Sequence, residues 1–255
     1  MSAMTRVTYF LLLLCMSTQI STAAEIKVLA SSAFRSAYAE LIPGFEKATG
    51  HKVLTTSGGS MGSAPTTIPN RMKRGEIYDV VIMAGDGLYD LTRNGNIMAD
   101  SRTELARSTI GVAVRMGATK PDISTPDAVK HALLSAKSVA FSSGASGVYL
   151  LGLFERMGIA AEMKAKSKQV SGEPVAAVVA RGEAEIGFQQ VSEILPVKGV
   201  DYVGPLPNAI QEVTIFAAGI TFDALQPQAA RALVRYLAAP ENAETIRKTG
   251  MLPMK

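Results

Sequence analysis

Two short apolar segments, each running straight into a loop of small hydroxyl residues and glycines, constrain this chain more than any other feature. The first reads Val28-Leu29-Ala30-Ser31-Ser32-Ala33-Phe34-Arg35-Ser36-Ala37, and the second Thr55-Thr56-Ser57-Gly58-Gly59-Ser60-Met61-Gly62-Ser63. Short apolar runs bounded by such loops read as buried strands. A strand that feeds a helix through a Ser/Gly turn leaves hydroxyls and the helix's unpaired first N–H groups facing one crevice. That crevice suits a small anion.

Strand-like apolar runs alternate with amphipathic ones along the rest of the chain, which predicts parallel sheets covered by helices. Strands are expected at 26–30, 51–56, 78–84, 138–141, 168–170 and 185–190. Helices are expected at 33–49, 68–74, 87–94, 127–136, 147–157, 174–181, 226–239 and 242–248, with Gly50, Gly75 and Gly158 as stops. Residues 105–115 and 213–220 are longer β runs, able to carry the chain out to a second lobe and back. The expected division is therefore 25–105 with 215–255 as one lobe and 106–214 as the other, closing by a hinge motion around a ligand.

Residues 1–24 read as an export leader: Arg6, the run Phe10-Leu11-Leu12-Leu13-Leu14, then small residues Ser21-Thr22-Ala23-Ala24. The run is far shorter than the ~20 residues of a membrane span, so a cleaved periplasmic protein without stable membrane association is expected. Leu14 before Cys15 is not the small residue that a lipid-anchoring site wants. Cleavage removes Cys15, the single cysteine, and with it any disulfide, thiolate nucleophile or cysteine-held metal. It also removes Arg6 and no acidic residue, taking the net charge from +4 to +3. That excess is mild and lacks basic runs interleaved with aromatics, so nucleic acid is not an expected partner.

In this order, the Ser-rich turn at 28–37, Ser57-Gly58-Gly59-Ser60, Tyr78-Asp79-Val80-Val81-Ile82-Met83-Ala84 and Gly182-Glu183-Ala184-Glu185-Ile186-Gly187 resemble the type II periplasmic binding proteins, in their molybdate-binding-protein-like branch. The resemblance spans essentially the whole mature chain and implies a two-lobed α/β fold with two crossovers. Three departures bear on the ligand. Molybdate binders usually carry Ala-Ser-Leu after the first strand, whereas this chain has Ser32-Ala33-Phe34 followed by Arg35. Their late oxyanion-contacting tyrosine falls on Gln190, and the segment 62–70 enlarges the second loop. A bulkier polycarboxylate could use these changes, since Arg presents a planar fork that matches carboxylate.

Gly58-Gly59-Ser60-Met61-Gly62, Ile68-Pro69-Asn70-Arg71 and Gly187-Phe188-Gln189-Gln190-Val191-Ser192-Glu193 look closer to a branch of this scaffold that resembles aconitate isomerases than to metal-oxyanion binders. That resemblance implies an allylic proton shift on a tricarboxylate, with one base, its conjugate acid, fixed donors, and neither metal nor organic cofactor. The alternative is a transport binding protein that delivers molybdate, another oxyanion or an organic acid to a membrane permease.

Candidate donors are Ser31, Ser32, Gly59 and Ser60 from one lobe, facing Ser142, Ser143, Ser146 and the helix start near Gly147 from the other; turn and N-cap duty is the alternative use of such serines. Arg35 in a first helical turn opposes the macrodipole unless a ligand answers it. Gln190 and Met61 complete the expected binding set, whereas the basic cluster Arg71, Lys73 and Arg74 suits a solvated helix end. Glu173 and Tyr149 are the candidate proton carriers, although a helix N-terminal charge and a core aromatic fit them as well. His51 and His131 both read as exposed.

Overall fold

The computed structural model describes residues 23–254, and the expected leader lies outside them apart from Ala23 and Ala24. Along β1 (Glu25–Ser31), Ile26, Val28 and Ala30 enter one apolar cluster and Leu29 another on the opposite face. In β3 (Val80–Ala84), Val80, Ile82 and Ala84 likewise face one way and Val81 and Met83 the other. Successive strand side chains point to opposite faces, so a strand that is apolar throughout needs cover on both. α1 (Arg35–Thr49) and α9 (Pro227–Leu237) supply it on one side through residues such as Phe45 and Leu233. α2 (Ile68–Lys73) and α3 (Gly85–Arg93) supply it on the other through Ile68, Leu88 and Leu91.

A second core repeats the scheme. Val139 and Phe141 of β5 (Val139–Ser142) pack with Phe188 of β7 (Ile186–Gln190), Leu133 of α4 (Pro126–Ser135) and Phe154 of α5 (Ala145–Arg156). The rings of Phe141 and Phe154 meet edge-on with centroids 5.8 Å apart, a favoured aromatic geometry. On the reverse face Ala140 meets Val175, Val178 and Val179 of α7 (Val175–Ala180).

The strand order is β2 (Lys52–Gly58), β1, β3, β9 (Val213–Ile220), β4 (Thr103–Arg115), β7, β5, β6 (Ser167–Val170). The triplets around β1 and β5 are parallel, as expected. The two long strands are not: β9 runs antiparallel to β3 and β4, and β4 antiparallel to β7 and to β8 (Val200–Pro205). The parallel sheets expected from the alternation of strands and helices are mixed at these two strands, and antiparallel neighbours need no helical crossover between them.

β4 is shared by both halves. Its residues 103–109 pair with β9 and its residues 110–115 with β7 and β8. Leu105 and Ala106 enter the first core, whereas Ile110, Val112 and Val114 enter the second. At the change of partner the Gln211 side chain stands in for a strand neighbour: Oε1 accepts from the Ile110 N–H at 2.9 Å and Nε2 donates to the Ile110 carbonyl at 3.0 Å. The fold is thus two-lobed α/β, with β4 running through both halves.

Several elements differ from expectation. α6 (Ala160–Lys166), α8 (Val191–Ile194), β8 and β10 (Leu252–Pro253) were not anticipated from the apolar pattern. His51 is buried rather than exposed: its Nδ1 accepts from the Ala24 N–H at 3.1 Å and its ring packs 6.0 Å from that of Phe45. His131 is exposed, 3.4 Å from the Ser135 hydroxyl.

Candidate active site

The carboxyl ends of β1, β2, β5 and β7 open on one cleft of about 540 Å³. That volume lies within the ~300–1,000 Å³ of organic ligand sites. It far exceeds the needs of a tetrahedral oxyanion, only a few times the ~30 Å³ share of one water molecule.

On the first lobe, Ser31 Oγ accepts from the Ala33 N–H at 3.4 Å, capping the 3₁₀ turn Ser32–Phe34 that leads into α1. Ser60 Oγ accepts from the Ala84 N–H at 3.0 Å. Each hydroxyl retains its proton to donate. Across the cleft, Ser142 Oγ and Ser146 Oγ lie 2.9 Å apart, and the Gly144 N–H donates to Ser142 Oγ at 3.3 Å. The helix after β5 starts this close only because residue 147 is glycine: a Cβ there would lie 1.6 Å from the Ser142 carbonyl oxygen. Ser32, Gly59 and Ser143 also line the cleft.

The lobes touch across it. Gly62 has φ 100°, and a Cβ on it would lie 2.5 Å from the Ser143 carbonyl oxygen, so the enlarged loop of one lobe rests on the serine loop of the other. Ala145 packs on the first lobe's core. Nearer the crossing strands, Ser192 Oγ donates to the Ala33 carbonyl at 2.6 Å and Ser36 Oγ donates to the Ser192 carbonyl at 3.3 Å.

Among the described residues, two buried polar atoms on the lining lack a partner, Thr67 Oγ1 from one lobe and Gln190 Oε1 from the other. An unpaired buried polar group costs about 1–3 kcal/mol, so a ligand that pairs both gains by it. Gln190 Nε2 donates to Thr214 Oγ1 at 3.0 Å; with the amide turned over, the oxygen would accept from that hydroxyl and the NH₂ would face the ligand. Thr67 was not singled out from sequence, although it stands in the enlarged loop that was.

Only three ionisable side chains line the cleft among the described residues: Arg35, Glu173 and Glu193. Arg35 is exposed at the start of α1 and enters none of their ion pairs. Glu173 reaches the wall but holds Arg181 through both carboxylate oxygens, at 2.8 and 3.0 Å. That guanidinium holds its carboxyl below the usual carboxylate range, the wrong direction for a base. This pairing counts against the proton-carrier role expected of Glu173. The expectation for Tyr149 is corrected: it does not line the cleft, its hydroxyl donates to the Ile210 carbonyl at 2.8 Å, and the Arg156 guanidinium lies 5.0 Å from its ring centroid. Met61 is partly buried away from the lining.

Glu193, in α8, stands where the second lobe meets the first. Burial raises its carboxyl to about 7, with hydrogen bonding from Ser32 and Gln189 pulling the other way. Gln189 is itself fixed, its Oε1 accepting from the Val175 N–H at 2.8 Å. Among the described residues no group of three or more His, Cys, Asp or Glu is arranged to hold a metal ion.

The chain is 45% identical over 230 residues to an aconitate isomerase from a Pseudomonas species, covering 90% of this chain and 88% of that one. It is 29% identical over 247 residues to the molybdate-binding protein ModA of Azotobacter vinelandii, covering 89% and 90%. The solved structure of the Azotobacter vinelandii periplasmic molybdate-binding protein superposes with a TM-score of 0.72 at 21% identity, covering 90% of this chain and all of that one. The sulfate-binding protein SubI of Mycobacterium tuberculosis gives 0.72 at 16%, covering 91% and 88%. Residues 26–252 match the family described as bacterial extracellular solute-binding protein, and with this two-lobed fold the chain belongs to that family.

Proposed function

We propose that this chain is an aconitate isomerase, interconverting trans- and cis-aconitate by an allylic proton shift within the cleft. The observation that carries this reading is the match to the Pseudomonas aconitate isomerase along nearly the whole chain. The cleft supports it: the volume suits a tricarboxylate, Arg35 is free to clamp one carboxylate, and hydroxyl donors from both lobes stand ready for the others. In this reading Ser31, Ser32, Gly59 and Ser60 meet Ser142, Ser143 and Ser146 around the anion, and Thr67 and Gln190 gain their missing partners. Preorganised donors stabilise the charge that builds on a carboxylate as the carbon acid ionises. The protein would work in the periplasm after loss of residues 1–24, with lobes 25–105 plus 215–255 and 106–214 closing on the substrate. No organic cofactor or metal has a part in this proton shift.

The transport reading draws on the likeness to ModA but leaves Arg35 and most of the cleft without a use. The two readings diverge in thermal unfolding. Trans-aconitate and related tricarboxylates are expected to raise the melting temperature, and molybdate and tungstate to leave it unchanged, because only a ligand selective for the folded protein stabilises it. Stabilisation by molybdate with no response to aconitate would reverse the choice.

A further inference from the structure

We propose that Glu193 is the catalytic base, and that its carboxylate both takes the proton from the methylene carbon of aconitate and returns it to the former alkene carbon. The inference rests on the aconitate reading and assigns the proton transfer within it. Of the three ionisable groups on the cleft wall, Arg35 cannot accept a proton and Glu173 is tied to Arg181. Glu193 alone is a carboxylate without a cation.

Its position is fixed by the lobe contact. The preceding residue, Ser192, is bonded to the first lobe through the Ala33 carbonyl and the Ser36 hydroxyl, which seats α8 against the 3₁₀ turn after β1. Glu193 thereby shares the cleft wall with Ser32, the hydroxyl in that turn, and Gln189 of β7. Arg35 and Glu173 on the cleft wall, and Glu104, Arg107, Arg115, Asp201 and Tyr202 on the neighbouring β4 and β8, do not figure among the causes of its shift; burial leads them. A carboxylate raised to about 7 is a far stronger base than an ordinary glutamate and is still ionised in good part near neutrality.

One base suffices because of the substrate's symmetry. Each terminal carbon of aconitate carries one carboxylate and the central carbon carries the third. When Glu193 removes a methylene proton, the C–H electron pair becomes the new π bond to the central carbon. The old π pair passes to the other terminal carbon and forms a C–H bond there with the proton that Glu193 carries. The connectivity is regenerated with the double bond on the other side, Glu193 ends ionised as it began, and no oxidant or reductant takes part. Cis or trans geometry follows from how the methylene arm is held when the proton leaves.

The test uses the full mature chain with Glu193→Gln, Glu193→Asp and Glu173→Gln. Glu193→Gln is expected to lose turnover by a factor of about 10² or more, while the rise in melting temperature caused by aconitate survives. Glu193→Asp should retain part of the activity. Wild-type kcat/KM should rise with pH through about 7, as Glu193 ionises. Trans-aconitate deuterated at its methylene, converted in ordinary water, should yield cis-aconitate with part of the label on the opposite terminal carbon. Complete replacement by solvent hydrogen, Glu193→Gln turnover within tenfold of wild type, or loss of turnover in Glu173→Gln alone would each overturn the proposal while the aconitate reading stands. Wild-type protein inert toward aconitate would overturn both.

Discussion

Replacing Arg35 by alanine should raise KM for aconitate roughly ten- to a hundredfold and leave turnover at saturation nearly unchanged. A charge-assisted contact to a carboxylate contributes about 1.5–3 kcal/mol, and losing one that is made equally in the bound and transition states appears in KM alone. Arg35 occupies the first turn of α1, where a cation opposes the helix macrodipole, and among the described residues it enters no ion pair with a carboxylate. Its removal should therefore leave the fold as stable as before. Arg35→Lys should recover little, since an ammonium cannot present two parallel N–H groups to one carboxylate. Steady-state kinetics and thermal unfolding of the two variants check this, and an unchanged KM in Arg35→Ala would remove Arg35 from the site.

Glu193→Gln should stabilise the empty protein at pH 8, by about 3–4 kcal/mol relative to any difference at low pH. The folded carboxyl titrates at about 7 because burial disfavours its charge, while an unfolded glutamate titrates near ~4.3. Below ~4.3 both states are protonated and burial of the charge penalises neither. Between those values the unfolded chain releases the proton and the folded protein keeps it, so folding stability falls as pH rises. Above about 7 the folded protein carries the buried charge and the penalty is complete. Glutamine does not titrate, so the gap between variant and wild type should widen from pH 5 to pH 8 in urea unfolding. A gap that does not change with pH would show that Glu193 is not desolvated. The expected pairing of lost turnover with gained stability is the mark of a group held in an unfavourable place for its chemistry.

The parts of this molecule that depend on neighbours close in sequence could be read from it. The Ser/Gly loops after β1 and β2 lie on the cleft, Gly50 and Gly158 end helices in the left-handed conformation, and the first of the two long β runs passes through both halves. Pairing direction was not legible, because antiparallel entry of β4 and β9 is decided by where the other lobe lies. Nor was α8, whose four residues are too few to show a helical period. Glu193 went unnoticed for a related reason. In Val191-Ser192-Glu193-Ile194 an acid just after a strand reads as an ordinary helix-start charge, and its raised basicity comes from burial where α8 meets the other lobe, at a contact in which Ser192 bonds a carbonyl 159 residues away. Glu173 is the opposite case: its partner Arg181 lies only eight residues on, across the short α7, and the ion pair was there to be weighed. Tyr149 belongs to a helix whose cleft-facing residues, Ala145 and Ser146, are at its start, a turn removed from the ring that packs beside the second core.

The account is tested most directly by incubating the purified protein with trans-aconitate in one vessel and cis-aconitate in another, and separating the isomers by chromatography over time. It predicts that both converge on one mixture and that molybdate in excess does not slow them. Two mixtures that never move, from a protein that binds molybdate, would contradict it.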